Sequence, residues 1–240
     1  MLESNKVNSV VSALYDEAGA EQLNLIAAAE ASCCTVRFIA SDWGVTFPPE
    51  SVELFPFVAW RFQAIDALKK TKLEWTRVHP GYFMDYYGRS SNVTGSPFVI
   101  DVPGNAAAIP GSGNEPLAMT HTYDVGRFVG ALLSLESGQW EESTYLYGER
   151  VTWNEVLTLV ENARGHDVAQ GKEEMLKMYA MFGVYVVHGL FDVPPKESLN
   201  VRFPEIKPIG IKEFLQMSWR QQDALSISPE RYAAYCSPKE

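Results

Sequence analysis

The sequence predicts an α/β protein built around a parallel β-sheet. Residues 21–32 carry leucine, isoleucine and alanine at helical spacing, with Glu21, Asn24 and Glu30 outside the apolar face, which indicates an amphipathic helix. Residues 36–40 follow as a nearly continuous apolar run, which is typical of a strand buried on both faces. A helix that leads directly into such a strand is the repeating unit of a parallel sheet.

The strand at residues 36–40 ends in small and polar residues, Ser41, Asp42, Trp43 and Gly44. In open parallel sheets, ligands bind outside the carboxyl ends of the strands. Ser41 and Asp42 are therefore predicted to lie at a candidate site.

Three further segments extend this pattern in the first half of the chain. Residues 7–14 and 73–79 predict two more strands, and each is followed by turn-forming residues. A long helix is predicted from Ser51 or Glu53 to about Lys70, with Ser51 as its N-cap. The buried side of this helix is predicted to hold Phe57, Trp60, Phe62, Ile65 and Leu68.

The second half of the chain alternates in the same way. Asp124 precedes an apolar helical stretch and is interpreted as its N-cap rather than as a catalytic acid. Thr152 and Glu155 form a capping box that opens a helix over residues 153–163. Short strands are predicted near residues 98–102, 106–109 and 140–146.

Composition and charge exclude several classes of protein. The 240 residues are enough for one core with a small second lobe, and 46% of them are hydrophobic. The formal net charge of -10 argues against a nucleic-acid-binding surface, which carries a basic stripe. An anionic cofactor remains compatible with this charge, because a local helix N-terminus binds anions.

The three cysteines predict a reducing compartment. Cys33 and Cys34 are adjacent, and with Cys236 the count is odd, so a disulfide framework is not expected. The first six residues lack the apolar core of a signal peptide. We therefore expect a cytoplasmic protein.

Motifs of several enzyme classes are absent from the sequence. The four histidines and three cysteines show no metal-ligand spacing, and no metal is predicted. Gly165 and Gly171 are separated by five residues, whereas a Walker loop requires about four. No Gly-x-Ser-x-Gly elbow occurs. These absences disfavour metalloenzymes, kinases and hydrolases.

Residues 175–191 form the most apolar stretch of the chain. The segment is short for a membrane span and contains Lys177, so a membrane contact is the weakest interpretation. Its methionines and aromatic residues fit either a core helix or a lid over a substrate cleft. On the lid interpretation, the substrate contacts are predicted to be Trp43, Tyr86, Met181, Tyr185 and His188.

Several of these segments together resemble a known family. QLNLIAAAEA at residues 22–31, VRFIASDWG at residues 36–44 and WTRVHPGYFMDY at residues 75–86 are similar to motifs of the NmrA-like and isoflavone-reductase-like family, an atypical branch of the short-chain dehydrogenases. Ala40 stands where relatives usually have proline, and Asp42 stands where they have glutamate. The resemblance extends from Val7 to about Trp219.

The resemblance implies a Rossmann-like parallel sheet with helices on both faces and a small C-terminal α/β substrate lobe. Residues 1–100 would belong mainly to the NAD(P)-binding domain and residues 101–240 mainly to the substrate lobe, with segments interleaved. The strand at residues 7–14 matches the fourth strand of relatives, so the fold is expected to be N-terminally truncated. No Gly-x-Gly-x-x-Gly precedes this strand, and residues 111–116 fail that motif at its last position.

The resemblance also assigns a cofactor, NADP or NAD. The positions that line the cofactor in relatives correspond to the ends of three strands. They are Ser12, Ala13, Leu14, Ser41, Asp42, Pro80, Gly81 and Phe83.

The catalytic lysine of the isoflavone-reductase branch has no counterpart here. It precedes an Ile-Glu pair, recognisable as Ile65-Asp66, and would fall at residues 58–60, which are Val-Ala-Trp. The chain also lacks a Tyr-x-x-x-Lys pair. The candidate proton donors are Ser41, Tyr82 and His79, the last because imidazole exchanges protons near neutral pH. A structural histidine at a strand end is the alternative for His79.

Three functions remain open. The first is an NAD(P)H-dependent oxidoreductase acting on a small aromatic or polyketide-like metabolite, in fungal-type secondary metabolism. The second is a non-catalytic NAD(P)-sensing regulator, and the third is a cofactor-free small-molecule binder or non-redox isomerase. The expected partners are a small-molecule substrate and a second copy or another protein, with no nucleic acid and no membrane.

Overall fold

Short helices and strands alternate along the chain in a computed structural model that describes residues 1–14, 19–88, 99–102, 105–165, 169–170 and 183–220. The helices are α1 (Ala20–Ala31), α2 (Ser51–Leu54), α3 (Ala59–Leu68), α4 (Thr122–Leu133), α5 (Trp153–Arg164), α6 (residues 183–187), α7 (Leu199–Arg202) and α8 (Ile211–Arg220). The strands are β1 (Ser9–Val11), β2 (Arg37–Ile39), β3 (Glu74–His79), β4 (Tyr82–Phe83), β5 (Ile100–Asp101), β6 (Ala106–Ala107), β7 (Pro116–Thr120), β8 (Ser143–Tyr145), β9 (Glu149–Thr152) and β10 (Ala169–Gln170). Single 3-10 turns lie at Pro56–Val58, Met84–Tyr87 and Pro195–Glu197.

The first sheet has four parallel strands in the order β1-β2-β3-β8. This arrangement confirms the predicted α/β class with a parallel, Rossmann-like sheet. The first strand is shorter than predicted, since only Ser9–Val11 of residues 7–14 pair with β2. The strand predicted at residues 140–146 is β8, and it pairs with β3 through Ser143–Tyr145.

Phe38 and Ile39, two successive residues of β2, are buried on opposite faces of this sheet, as the pleat of a strand requires. Phe38 packs with Ile26 of α1 and Leu68 of α3. Ile39 packs on the other face with Phe128 of α4. Both strand residues are fully buried, and each contributes roughly 1.5–3 kcal/mol of transfer free energy. Helices therefore cover both faces of the first sheet.

Two small sheets of three strands each, together with α5 and α8, form the group of elements that we call the second lobe. In one, β7 pairs in parallel with β4 and antiparallel with β9, and in the other β6 lies between β5 and β10. Helices α5 and α8 pack together over a core that includes Leu117, Trp153 and Leu215. The predicted capping box of Thr152 and Glu155 is confirmed at the start of α5.

The single long helix predicted from Ser51 to Lys70 is wrong. Pro56 has no N–H to continue the helix, and the chain instead forms α2, a 3-10 turn and α3. Phe57, expected on the buried side, is 50% exposed as a result. Ser51 is not the N-cap either, because Glu50 holds that position and the buried Ser51 hydroxyl has no hydrogen-bond partner among the described residues.

Asp124 is not the N-cap of α4, contrary to the prediction. His121 holds that position, and its Nδ1 accepts a hydrogen bond from the backbone N–H of Tyr123 at 3.0 Å. Asp124 lies in the first turn, 3% exposed, and accepts the Ile209 N–H at 2.8 Å and the Arg127 guanidinium at 2.8 Å. Its carboxylate thus attaches the loop before α8 to α4.

Only part of the apolar stretch at residues 175–191 is described, from residue 183 onward. Residues 183–187 are helical, with Val184 exposed and Tyr185 and Val186 buried. Among the described helices, none is long and apolar enough to cross a bilayer.

Gly81 joins the first sheet to the second lobe. Its φ of +72° lies in the left-handed region, and a Cβ added there would lie 2.3 Å from the backbone oxygen of Ala118. The Thr120 hydroxyl donates a hydrogen bond to the Pro80 carbonyl at 2.6 Å beside this contact. The turn between β3 and β4 therefore requires glycine for both its conformation and its space.

We predict that Gly81→Ala costs roughly 2–5 kcal/mol of unfolding free energy, because left-handed strain of about 1–2 kcal/mol adds to an overpacking cost of about 1–3 kcal/mol. Gly138→Ala is the matched control, since Gly138 has φ +82° and open space around the added Cβ. Urea unfolding of both variants measures the difference. Equal losses in the two variants would contradict the proposed close approach to Ala118.

Candidate functional site

Three strand ends of the first sheet meet at its carboxyl edge. The Ser12 N–H donates to the Ile39 carbonyl at 2.9 Å, which extends the β1 to β2 pairing beyond the strands. The Trp43 indole N–H donates to the Ser12 carbonyl at 2.9 Å. The structure thereby brings together the predicted residues after β1 and β2, as expected from the parallel arrangement.

Ser41 fastens this edge to the helix that precedes it. Its N–H donates to Gln22 Oε1 at 2.7 Å, and its hydroxyl donates to the Leu14 carbonyl at 2.7 Å. The side chain is buried, and its proton is already used within the chain. This geometry suits a residue that fixes the loop more than one that gives up a proton.

Asp42, predicted to face a cofactor, instead contacts two arginines. It is 5% exposed, its Oδ1 accepts from Nη1 of Arg61 on α3, and its Oδ2 lies 3.7 Å from Nη1 of Arg77 on β3. Arg77 also donates to the Ser143 hydroxyl on β8 at 2.8 Å. Neither arginine was predicted from the sequence, where the available signal was Arg77 two residues before His79 in a predicted strand.

His79 ends β3 and is 1% exposed. Burial is the largest cause that lowers the pKa of His79, to about 4, and Arg77 and Arg61 act in the same direction against Asp42 and the Gly44 backbone. Its ring lies 5.4 Å from that of Tyr145 on β8. Neither ring nitrogen has a hydrogen-bond partner of ordinary geometry among the described residues. His79 is therefore neutral at pH 7 and holds unused hydrogen-bonding capacity.

Tyr82, the third candidate proton donor, lies in an aromatic cluster of the second lobe. Its ring centroid is 5.1 Å from that of Tyr86, 5.8 Å from those of Tyr87 and Trp153, and 6.1 Å from that of Phe191. The ring thus helps to connect β4 with the core of that lobe.

The residues predicted to contact substrate occupy different surroundings. Trp43 packs against the cluster that contains Ile39 and Phe128, on the α4 side of the first sheet, and Tyr86 is 39% exposed. Tyr185 is buried against Phe47 and Phe55, with ring centroids 5.7 and 4.9 Å away, as the core-helix interpretation expects of this position. His188 is exposed and Met181 lies outside the described residues.

Within the described residues, no group of three or more histidine, cysteine or acidic side chains is arranged to hold a metal ion. Cys33 and Cys34 are free thiols with their sulfurs 3.6 Å apart. They lie before β2, at the amino end of the first sheet.

Known proteins share this fold and part of this sequence. The chain is 33% identical over 171 residues to Oxidoreductase BOA1 of Botryotinia fuckeliana, covering 69% of this chain and 56% of that protein. It is 32% identical over 150 residues to Oxidoreductase swnR of Arthroderma benhamiae, covering 57% of this chain and 46% of that protein. The chain thus spans about half the length of these relatives. No protein-family model matches it.

A solved structure shares the architecture at lower identity. The binary complex of leucoanthocyanidin reductase with NADPH from Vitis vinifera superposes with a TM-score of 0.70 and 16% identity, covering 92% of this chain and 80% of that one. The chain has the Rossmann-like α/β fold of that protein. The resemblance inferred from the motifs is therefore supported at the level of fold and of oxidoreductase relatives, while the NmrA-like assignment stays a prediction.

We predict that acid destabilises the protein through His79. The unfolded histidine binds a proton near pH 6.5, whereas the folded one resists protonation until about pH 4. The unfolded state therefore binds more protons in this window, so stability is complete above about pH 6.5 and falls as pH drops towards 4. The contribution reaches about 3 kcal/mol, from 1.36 kcal/mol per unit.

Urea unfolding between pH 4.5 and 7.5 measures this effect when wild type is compared with His79→Gln. The variant should lose less stability on acidification than wild type, and the exposed-site control His188→Gln should follow wild type. An identical pH dependence in wild type and His79→Gln would rule out His79 as the source.

Proposed function

We propose that the protein is an NAD(P)H-dependent oxidoreductase that acts on a small aromatic or polyketide-like metabolite. The observation that carries the proposal is the convergence of the ends of β1, β2 and β3 at one carboxyl edge, where parallel sheets bind their ligands. Fungal relatives named oxidoreductases and the reductase fold support the reaction class. The metabolite class and a place in secondary metabolism are proposals from the resemblance.

The described residues fit the nicotinamide end of such a cofactor. Trp43 and Phe83 are partly buried and supply apolar surface at this edge, whereas Pro80 is buried and Gly81 faces the Ala118 backbone. A bound nicotinamide would supply or accept a hydride. The chain itself contributes a fixed loop after β2 at this edge, because the Ser41 hydroxyl and the Trp43 indole N–H both donate hydrogen bonds to the segment after β1.

The described residues do not offer a glycine-rich phosphate turn. Between β1 and α1, the described glycine is Gly19, and a Cβ added there would lie 3.0 Å from Cβ of Trp60. That space is filled by α3 rather than open to a pyrophosphate. Binding of the phosphates therefore needs groups other than a turn at this position.

His79 is the remaining candidate at the edge, and because it is neutral at pH 7 it can accept a proton or donate a hydrogen bond rather than release a proton. The Ser41 proton is donated to Leu14, and Tyr82 is packed among aromatic rings. The neutral His79 imidazole carries one N–H and one free lone pair in a dry position. It is the candidate whose ring nitrogens have no partner of ordinary hydrogen-bond geometry among the described residues.

One observation favours a second candidate, a protein that binds NAD(P) or a metabolite without turnover. The positions where relatives carry the catalytic lysine hold Val58, which is fully buried, together with Ala59 and Trp60. The nearest cation, Arg61, is paired with Asp42. A sensor or a cofactor-free binder has no need of that lysine.

We predict that NADPH binds the purified 240-residue chain and lowers the fluorescence of Trp43, because the indole lies at the proposed nicotinamide edge. Calorimetric titration with NADPH and then NADH gives the affinity. Quenching should fall in Trp43→Phe and persist in Trp140→Phe, since Trp140 packs on the α4 face against Arg37.

Each outcome separates the candidates. Micromolar binding followed by substrate-dependent oxidation of NADPH supports the oxidoreductase, and binding without consumption supports the sensor. If a folded chain does not bind the cofactor at millimolar concentration, the oxidoreductase and the sensor are both ruled out, and the cofactor-free binder is the remaining candidate.

A further inference from the structure

Four side chains form a charged group on the α3 side of the carboxyl edge. They are Asp42 after β2, Arg61 on α3, and Arg77 and His79 on β3, and we call them the arginine cluster. Arg77 and His79 share one face of their strand because they are two residues apart. That face also carries Trp75, which packs with Leu68 of α3.

The charges of the arginine cluster do not balance. Within the described residues, Asp42 is the only carboxylate within 4.0 Å of either guanidinium. The side chains of Arg61 and Arg77 are 19% and 16% exposed, so water screens them only in part. His79 is neutral at pH 7 and adds no negative charge. Counted over the described residues, the group therefore carries one excess positive charge in a largely buried place, which is costly unless an anion offsets it.

The hydrogen-bond donors of the cluster are not used up. Nε of Arg61 and Nε of Arg77 are buried without a hydrogen-bond partner among the described residues. The ring nitrogens of His79 lack a partner of ordinary hydrogen-bond geometry there, although the Gly44 backbone acts on this ring, and only one of the two nitrogens of a neutral imidazole is a donor. Buried polar atoms are nearly always paired, so two guanidinium donors and one ring N–H in one group indicate a missing acceptor. Arginine forks match the geometry of carboxylate and phosphate oxygens.

Aromatic rings hold the Arg61 head in position without using its N–H groups. The guanidinium carbon lies 5.0 Å from the centroid of the Trp60 ring and 5.3 Å from that of Phe47. Stacking on aromatic faces fixes the plane of a guanidinium and leaves its edge free to donate.

A balanced pair elsewhere in the same sheet shows the contrast. Arg37 donates to Glu74 at 2.8 Å and to the Leu133 carbonyl at 3.3 Å, and it stacks on Trp140. Glu74 also accepts the N–H groups of Gly138 and Trp140, at 2.7 and 3.0 Å. One cation meets one carboxylate there, so that pair needs no further ion.

We propose that the arginine cluster is a binding site for one oxyanion, a carboxylate or phosphate group of a molecule held at the carboxyl edge. Arg61 and Arg77 donate to its oxygens, and His79 donates through its ring N–H. Asp42 keeps the two guanidinium groups together and prevents binding of a second anion. The proposal does not depend on redox chemistry, since it concerns charge alone.

The test is thermal unfolding of the full chain at pH 7.5 in increasing inorganic phosphate, with sodium chloride added to keep ionic strength constant. A ligand that binds only the folded state raises the midpoint with its concentration. Phosphate also stabilises proteins without a specific site. The comparison that counts is therefore between variants in the same buffers.

Two variants should lose the phosphate response and a matched one should keep it. Arg61→Gln and Arg77→Gln each leave one cation facing Asp42, and their apparent Kd for phosphate should rise about tenfold or more, as expected for a lost charge-assisted hydrogen bond. Arg37→Gln removes a buried arginine of the same sheet from the balanced pair and should retain the wild-type Kd. Circular dichroism checks that each variant is folded.

Asp42→Asn gives a change of opposite sign. The variant carries two unpaired cations, so it should be less stable without phosphate and gain more from phosphate than wild type does. A smaller gain than wild type would overturn the proposal, as would equal phosphate responses in wild type, Arg61→Gln and Arg77→Gln. If Asp42→Asn does not fold, the comparison of the arginine variants still decides.

The source of the oxyanion is separated by repeating the titration with NADPH. Loss of the phosphate response in NADPH assigns the site to a group of the dinucleotide. A phosphate response that adds to that of NADPH assigns it to an acidic group of a different ligand. Replacement of phosphate by acetate in the same series tells whether a carboxylate suffices.

Discussion

The approach of Gly81 to the Ala118 backbone is the constraint on which the arrangement of the two lobes depends. The chain leaves the parallel sheet at His79 and pairs with β7 only three residues later, at Tyr82. A turn this tight works because a residue without a side chain takes a left-handed conformation against a neighbouring strand. The carboxyl edge of the first sheet is thereby placed directly against the second lobe.

Two sets of contacts stabilise the carboxyl edge of the first sheet, one made by Ser41 and one made by the arginine cluster. The Ser41 bonds to Gln22 and Leu14 join neighbouring elements of the chain. The arginine cluster joins β2, α3 and β3, and through Ser143 it reaches β8. The edge therefore combines a rigid polar floor with one group whose charges are unbalanced, which is the arrangement expected of a place that receives a ligand rather than one that only stabilises a fold.

Local signals in the sequence predicted what depends on local physics. The strand that ends at His79 and the capping box at Thr152 follow from apolar pattern and capping chemistry, and both are present. The break of the predicted long helix was readable from Pro56, whose ring and missing N–H outweigh the apolar periodicity on either side.

Contacts between distant residues were not predictable in this way. Asp124 has the residue type of an N-cap, but its partner Ile209 lies 85 residues away, and burial of that pair decides its position. Arg61 and Arg77 reach Asp42 only after three elements have packed. The sequence predicted a site at the end of β2, whereas the charges of Arg61 and Arg77 beside Asp42 depend on tertiary structure.

The position of β8 sets a condition on how the chain folds. Arg77 and its partner Ser143 are 66 residues apart in the sequence. Strand β7 and helix α4 lie between them, and β9 follows Ser143. During synthesis, β3 can pair with β8 only after the segment between them has left the ribosome. Closing such a loop is slow, and the waiting edge is open to wrong pairing. Folding of the two lobes is therefore coupled in time, and neither half of the sequence is expected to complete its sheet alone.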